Sequence, residues 1–291
     1  MTSLFFFSIA NGLVMGMAIF LVASGLTLAF GILKIFNFAH GTFFMIGAYV
    51  AYNLTGEEPS SFLIFLGAAL VATIAVGAMG VASDLVVFRR LAGVPAEYTL
   101  IAAFAIMLIA TGGARIAFGQ DMHAIYPPAA LGGMIDVGIP ISVYSLFVIF
   151  AGLLTFFGLE VGLNRLWFGK IIQAVARDPW MSEMTGLRVR RIKLASVALS
   201  FALAGLSGGL LVANQSLTLD LGHSYLLLAF CAVIVGGLGS VRGAFFASIL
   251  FGLADSLNYV LLPTMPGVVV YALLITLVLV RPEGFYPELA R

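Results

Sequence analysis

Charged residues are scarce in this chain of 291 residues. Asp, Glu, Lys and Arg make up 9% of it, whereas 62% of the residues are hydrophobic and the mean hydropathy is +1.14. A soluble domain carries roughly a quarter charged residues, so this sequence lacks the charge needed to cover a water-facing surface of its size. The net charge of +1 gives no indication of a nucleic acid partner.

The chain also has few of the residues on which common catalytic and metal sites depend. It has one cysteine, Cys231, in an apolar run, and three widely separated histidines, so we predict no intrachain disulfide and no metal site. Residues 205–209 match a nucleophilic serine pattern, but Ser207 lies in an apolar stretch without a histidine placed as its base. We interpret Gly205 and Gly209 as a small-residue face for close helix contact. No phosphate-binding loop of the G-x-x-x-x-G-K-[ST] type is present, so we do not expect an enzyme.

Apolar runs of membrane-spanning length dominate the sequence instead. Runs of about 20 apolar residues cross a bilayer as helices, because the backbone must satisfy its own hydrogen bonds in lipid. We predict an all-α, polytopic transmembrane bundle of eight to nine segments, forming one domain over residues 1–291. The predicted segments are 4–30, 35–53, 61–83, 98–118, 141–159, 192–214, 224–240, 243–262 and 267–281. The glycine-rich segment at 224–240 either crosses the membrane or is re-entrant.

The distribution of Lys and Arg predicts the orientation of the chain. Half of the 14 basic residues lie in or beside the connection at about 160–191, which we therefore place in the cytoplasm. The connections at 53–60, 119–140 and 215–223 contain neither Lys nor Arg, so they belong outside. This assignment predicts a multi-pass protein of the bacterial inner membrane, with its N-terminus outside and its C-terminus in the cytoplasm.

Two apolar segments are interrupted in a similar way. His40-Gly-Thr-Phe-Phe and Arg242-Gly-Ala-Phe-Phe each follow a break near asparagine or glycine, which gives a weak internal repeat. Matched interruptions point to a transport pathway near the midplane of the membrane, and polar residues within apolar runs are candidates for lining it. The candidate pathway residues are Asn37, His40, Gly41, Thr42, Ser200, Ser207, Gly236, Gly237 and Asp255.

Structural roles for these polar residues stay open. Asn37 and His40 are placed to cap the helix that follows the first break. Serine in a membrane helix often bonds its own backbone, which applies to Ser200 and Ser207. Asp255 can pair with a cation such as Arg115 or face a partner subunit.

Three stretches together carry a family resemblance. They are residues 25–41, which end in Asn-Phe-Ala-His-Gly, residues 174–179, Ala-Val-Ala-Arg-Asp-Pro, and residues 233–244, which contain Gly-Gly-Leu-Gly-Ser. They resemble the permeases of branched-chain amino-acid ABC importers (the LivH type), and the resemblance runs nearly from end to end.

The resemblance implies partner chains. Such a permease pairs with a second, related permease, two cytoplasmic ATPases that bind ATP and magnesium, and an external solute-binding protein, so this chain itself needs no cofactor. Residues 169–191 would then be the cytoplasmic coupling loop. The coupling residues implied are Ala174, Arg177, Asp178 and Gly186.

The ligand is less closely defined. Thr42 stands where family members commonly have glutamate, and Gln173 stands where they often have arginine. The first departure removes a carboxylate from the region of the expected pathway. Branched-chain or other small hydrophobic amino acids are the leading expectation, with urea, short amides and small aromatic or organic acids as the alternative. A second alternative is an autonomous secondary transporter or channel that depends on Asp255, and a third is an intramembrane hydrolase that uses Ser207.

Overall fold

The computed structural model describes residues 2–34, 37–91, 93–136, 140–214, 216–265 and 267–286. These residues form eleven α-helices and one short hairpin, which confirms the predicted all-α class. The helices are α1 (Thr2–Leu33), α2 (Ala39–Thr55), α3 (Phe62–Val86), α4 (Ala96–Phe118), α5 (Val143–Asn164), α6 (Trp167–Arg177), α7 (Pro179–Met184), α8 (Val189–Leu211), α9 (Leu221–Gly236), α10 (Val241–Leu261) and α11 (Val268–Val280). The hairpin pairs β1 (Met134–Asp136) with β2 (Pro140–Ser142).

Six of the described helices are long and apolar enough to cross a membrane. The candidate spans are Phe6–Ile32, Phe62–Leu91, Ala96–Phe118, Val143–Asn164, Val189–Leu211 and Val241–Leu261, while α9 and α11 are shorter apolar helices. Together with α2 they agree with the predicted eight to nine segments. Both boundaries of the basic connection differ from the prediction. Helix α5 continues to Asn164 and α8 begins at Val189, so the connection between spans is shorter than the predicted 160–191.

Helix α1 lies at the centre of the bundle. In the most apolar 18-residue stretch of α1, 83% of the residues are buried, compared with 33% in that of α3, 17% in that of α4 and 22% in that of α5, whose apolar residues lie mostly at the surface of the bundle. Small residues allow this central position, because they let neighbouring backbones approach closely. A Cβ on Gly16 would lie 2.8 Å from Cα of Ile249 in α10. Near the start of α1, the Ser256 hydroxyl of α10 donates a 2.7 Å hydrogen bond to the Ser8 carbonyl.

Helices α2 and α9 overlap inside the bundle and run antiparallel. Phe38 packs on Phe230 with ring centroids 5.2 Å apart, and Gly41 lies against Gly222. His40 faces Gly25, which precedes the end of α1 by eight residues, or about 12 Å along the helix axis. Helix α2 therefore begins within the bundle. The predicted segment 35–53 starts as helix only at Ala39, and residues 35 and 36 lie outside the described ranges.

The two ends of the bundle differ in character. The end that carries α6 and α7 is called the basic end here, and it also holds the turn between α9 and α10. Phe285 N donates to the Val235 carbonyl (2.8 Å) and Tyr286 N to the Gly236 carbonyl (3.1 Å), so the segment after α11 docks at this same end.

A polar cluster ties together the loops at the far end. The Tyr52 hydroxyl donates a 2.9 Å hydrogen bond to Glu57 Oε1 and lies 2.9 Å from His123 Nδ1. The His123 backbone pairs with that of Leu217, which joins the α4–α5 and α8–α9 connections. Hydrogen bonds from Tyr52 and His123 hold the pKa of the exposed Glu57 carboxyl below its ordinary value.

Candidate functional site

His40 and Ser200 meet at the backbone of α1. The Ser200 hydroxyl of α8 donates a 2.7 Å hydrogen bond to the Gly25 carbonyl, and both polar side chains are fully buried. A Cβ on Gly25 would lie 2.8 Å from His40 Cε1, so only glycine leaves room for the imidazole. The ring lies edge-on to Phe201 and near the Val22 carbonyl, at a geometry that leaves both ring nitrogens without a well-formed hydrogen bond.

The first turn of α2 joins this group to α4 and α9. Asn37 Oδ1 accepts a 3.1 Å hydrogen bond from the first amide of α2, but Phe38 rather than Asn37 holds the N-cap position. His40 lies within the first turn of the helix and makes no capping bond. The buried Asn37 amide nitrogen makes no hydrogen bond. Gly41 packs directly on the Gly222 backbone of α9. The Thr42 hydroxyl lies 3.4 Å from the Thr111 hydroxyl of α4. The first turn of α2 therefore contacts four other helices, α1, α4, α8 and α9.

Ser207 is bonded to backbone rather than to a base. Its hydroxyl lies 2.7 Å from the carbonyls of both Leu21 in α1 and Leu203 in α8. Gly205 and Gly209 pack against Ala72 and Ala69 of α3, which confirms the predicted small-residue face. The pattern at 205–209 therefore serves helix contact on one side and a bond to α1 on the other.

The turn between α9 and α10 brings a second set of predicted residues together. Gly236 and Gly243 pack backbone to backbone, and a Cβ on either would overlap the other. Gly237 has φ of 104°, a conformation that side chains rarely adopt, and it lies against the Tyr286 backbone. The segment predicted at 224–240 is thus a helix that ends at Gly236, followed by a tight turn into α10.

Asp255 lies apart from both groups. It is half-buried on α10, about 21 Å along the axis from the start of that helix. In the part of the chain that the structure describes, Asp255 forms no salt bridge, with Arg115 or with any other cation. Asn258, one turn further along, holds the next turn by bonding Met265 O and Val269 N, each at 3.1 Å.

The connection between α5 and α8 folds as two short helices. Ile172 and Val175 of α6 are buried, which gives this helix an apolar side against the bundle. Asp178 caps α7, because its Oδ1 accepts a 2.9 Å hydrogen bond from Met181 N. Gly186, with φ of 84°, then turns the chain toward α8.

Exposed aromatic and basic groups mark the outer face of this connection. Trp167 is 76% exposed and Trp180 is 63% exposed. Ala174 and Arg177 are also exposed on α6. Of the four predicted coupling residues, Ala174, Arg177 and Asp178 thus lie on α6 or at its end, and Gly186 lies after α7.

Sequence reasoning did not single out several residues that shape these sites. Gly25 and Gly222 are glycines among many, and nothing local distinguishes them. Glu160 is a charged residue at the end of an apolar run, a position that predicts the start of a loop. Among the described residues, no group of three His, Cys, Asp or Glu is placed to hold a metal ion.

The helices form a polytopic bundle in which α2 and α9, both shorter than the candidate spans, meet in the interior. A basic, amphipathic connection lies at one end of the bundle. These features define the class of integral membrane transport proteins. The chain belongs to the family of permease components of branched-chain amino acid transport systems, whose model matches residues 8–279.

Curated relatives cover nearly the whole chain. The high-affinity branched-chain amino acid permease BraD of Pseudomonas aeruginosa is 29% identical over 95% of this chain and 94% of its own length. LivH of Escherichia coli is 28% identical over 94% of this chain and 92% of its own. The E. coli permease LivM is 30% identical over 43% of this chain and 30% of its own. No solved structure matches the chain.

Proposed function

We propose that the chain is a permease subunit of an ATP-driven ABC importer that moves branched-chain or other small hydrophobic amino acids into the cell. The observation that carries this proposal is the similarity over 95% of the chain to a permease named for high-affinity branched-chain amino acid transport. The protein would lie in the bacterial inner membrane with its N-terminus outside and its basic end in the cytoplasm.

The partners follow from this role. A second, related permease would complete the pathway, and the partial similarity to LivM supports a related partner of that kind. Two cytoplasmic ATPases would bind ATP and magnesium, and an external binding protein would deliver the amino acid. This chain would then supply the pathway and the docking surface, and the chemistry of ATP would belong to other chains.

The docking surface would be the outer face of α6 and α7. Trp167 of α6 and Trp180 of α7 each expose most of their surface, and exposed aromatic side chains are enriched at contact sites. Arg177 lies on the same segment and adds a donor for acidic groups of a partner. Because Ile172 and Val175 anchor α6 to the bundle, force applied to the outer face would reach the spans.

The pathway would run beside the first turn of α2. His40, Ser200 and Ser207 are enclosed in this conformation, so a solute would reach them only when α1, α2 and α8 separate. Bonds between helix backbones and single hydroxyls, such as Ser200 to Gly25, are weak enough to exchange during such a movement. Thr42 and Asn37 would take part at the same level, whereas Asp255 would act nearer the far end.

The direct test is purification of the tagged chain from its native membrane in mild detergent, followed by reconstitution in liposomes. We expect a second permease and two ATPase chains to copurify, and radiolabelled leucine to enter only when both ATP and the external binding protein are supplied. Competition by unlabelled urea or short amides but not by valine would move the substrate to the alternative class. Transport by this chain alone without ATP would contradict the proposal and favour a secondary transporter.

Replacing Asp178 with alanine should weaken coupling. The change removes the cap of α7, which is worth about 1 kcal/mol, and should let the coupling segment fray. We expect leucine uptake per ATP hydrolysed to fall, as measured on the reconstituted complex. Asp178→Asn is the matched control, because asparagine caps as well as aspartate does. Equal loss in both variants would show that the charge, and not the cap, is what matters.

Replacing Ser207 with alanine should leave transport nearly intact. The change deletes one shared hydrogen bond between membrane helices, which averages about 0.6 kcal/mol, so we expect less than about a threefold change in leucine uptake per protein. Ser200→Ala removes the comparable bond to Gly25 and serves as its counterpart. Complete loss of activity in Ser207→Ala alone, with normal amounts of protein, would favour a nucleophilic serine instead.

A further inference from the structure

Four polar side chains form a continuous connection between α6 and α10. Gln173 of α6 donates a 2.9 Å hydrogen bond to Asn164 Oδ1, at the end of α5. Asn164 Nδ2 in turn donates a 2.8 Å hydrogen bond to Glu160 Oε1, one turn earlier. Arg242, in the first turn of α10, donates to the same carboxylate oxygen through Nε at 2.8 Å and through a second guanidinium nitrogen. The path from the coupling segment to α10 is therefore unbroken.

The ion pair at the centre of this connection lies partly out of water. The Glu160 side chain is 18% exposed and that of Arg242 is 49% exposed. A carboxylate this well covered depends on its partners, because removing one of them leaves a poorly solvated charge. Glu160 is the only charged residue of α5, and the guanidinium of α10 and the amide of Asn164 both donate hydrogen bonds to its carboxylate.

At α10, the hydrogen-bonded connection ends beside the closely packed turn between α9 and α10. Arg242 comes directly before Gly243, whose backbone lies against Gly236 of α9. A cavity of about 160 Å³ lies beside the connection, and its lining includes Gln173, Glu160 and Gly239 of the same turn. A shift of Arg242 would therefore move both the close α9–α10 contact and the wall of this cavity.

We propose that Gln173, Asn164, Glu160 and Arg242 transmit the displacement of α6 to the α9–α10 turn, with Glu160 and Arg242 as positioning residues for coupling. This inference rests on the proposed role of α6 in ATP coupling. Helix α6 packs mainly on α5, α8 and α1. The four hydrogen-bonded side chains therefore link α6 to α10, on which it does not mainly pack. A hydrogen-bonded network between packed elements can carry such a shift if it holds two discrete arrangements.

The test uses the complete complex, purified through a tag on this chain and reconstituted in liposomes. Leucine uptake and ATP hydrolysis are measured on the same preparation for wild type, Glu160→Gln, Arg242→Gln and the exchanged pair Glu160→Arg with Arg242→Glu. We expect each single variant to lower the ratio of uptake to hydrolysis about fivefold or more. The exchanged pair should return to within about twofold of wild type, because the ion pair is restored with its ends reversed.

Controls separate a coupling role from a folding role. Glu58→Gln makes the same chemical change on an exposed residue at the far end, and it should leave the ratio unchanged. Recovery of ATPase chains with each variant reports whether the complex still assembles. Single variants with a wild-type ratio, or an exchanged pair no better than the singles despite normal assembly, would overturn the inference alone. A wild-type preparation without ATPase chains would overturn the proposed function, and this inference with it.

Discussion

Replacing Gly41 with valine should nearly abolish transport. A Cβ at this position would overlap the Gly222 carbonyl oxygen and lie 2.7 Å from Leu226 Cβ, so α2 and α9 would have to separate. Because the clash is with backbone, no side-chain rearrangement can relieve it, and we expect a cost of about 3 kcal/mol, at the upper end for overpacking. Leucine uptake per folded protein should fall at least about tenfold.

The measurements for Gly41→Val are the monodisperse fraction in detergent, the thermal midpoint of unfolding and leucine uptake in liposomes. Gly67→Val is the matched control, because a Cβ on Gly67 of α3 meets no other atom within 4 Å. If the two variants were equally stable and equally active, the α2–α9 contact would have no part in holding the pathway.

Replacing Gly237 with valine should detach the C-terminal segment. Gly237 has φ of 104°, which a β-branched residue hardly adopts, and its Cβ would lie 2.9 Å from the Tyr286 carbonyl carbon. Strain of this kind costs about 1–3 kcal/mol, and the hydrogen bonds from Phe285 and Tyr286 to the end of α9 should be lost as well. We expect strongly reduced uptake and faster proteolysis after α11.

Limited proteolysis with mass spectrometry would locate the cleavage sites in Gly237→Val. Gly56→Val is its control, because Gly56 also has a positive φ, of 73°, but a Cβ there meets nothing within 4 Å. If backbone strain from the positive φ were the whole effect, Gly237→Val and Gly56→Val would be cleaved after α11 at similar rates. If Gly237→Val were cleaved after α11 no faster than the wild-type protein, the docking of the C-terminal segment on the α9–α10 turn would be contradicted.

The end of α5, which sequence reasoning placed too early, has a physical explanation. Glu160 looks like the start of a hydrophilic loop, because a carboxylate is costly near lipid. Helix α5 nevertheless continues through it to Asn164, since Arg242 and Asn164 bond the carboxylate. The partner that makes this charge tolerable lies 82 residues away in the sequence, so no local pattern could have revealed it.

The sequence by itself determined the all-α class, the number of apolar segments, their two interruptions and the basic connection. These features are local, because each membrane helix must satisfy its own backbone in lipid and each needs a minimum apolar length. Only the tertiary structure decided that His40 and Ser200 meet at Gly25, that Gly41 packs on Gly222 and that Arg242 bonds Glu160. Such contacts join residues far apart in the chain, and they depend on which helix faces approach one another, which hydropathy does not encode.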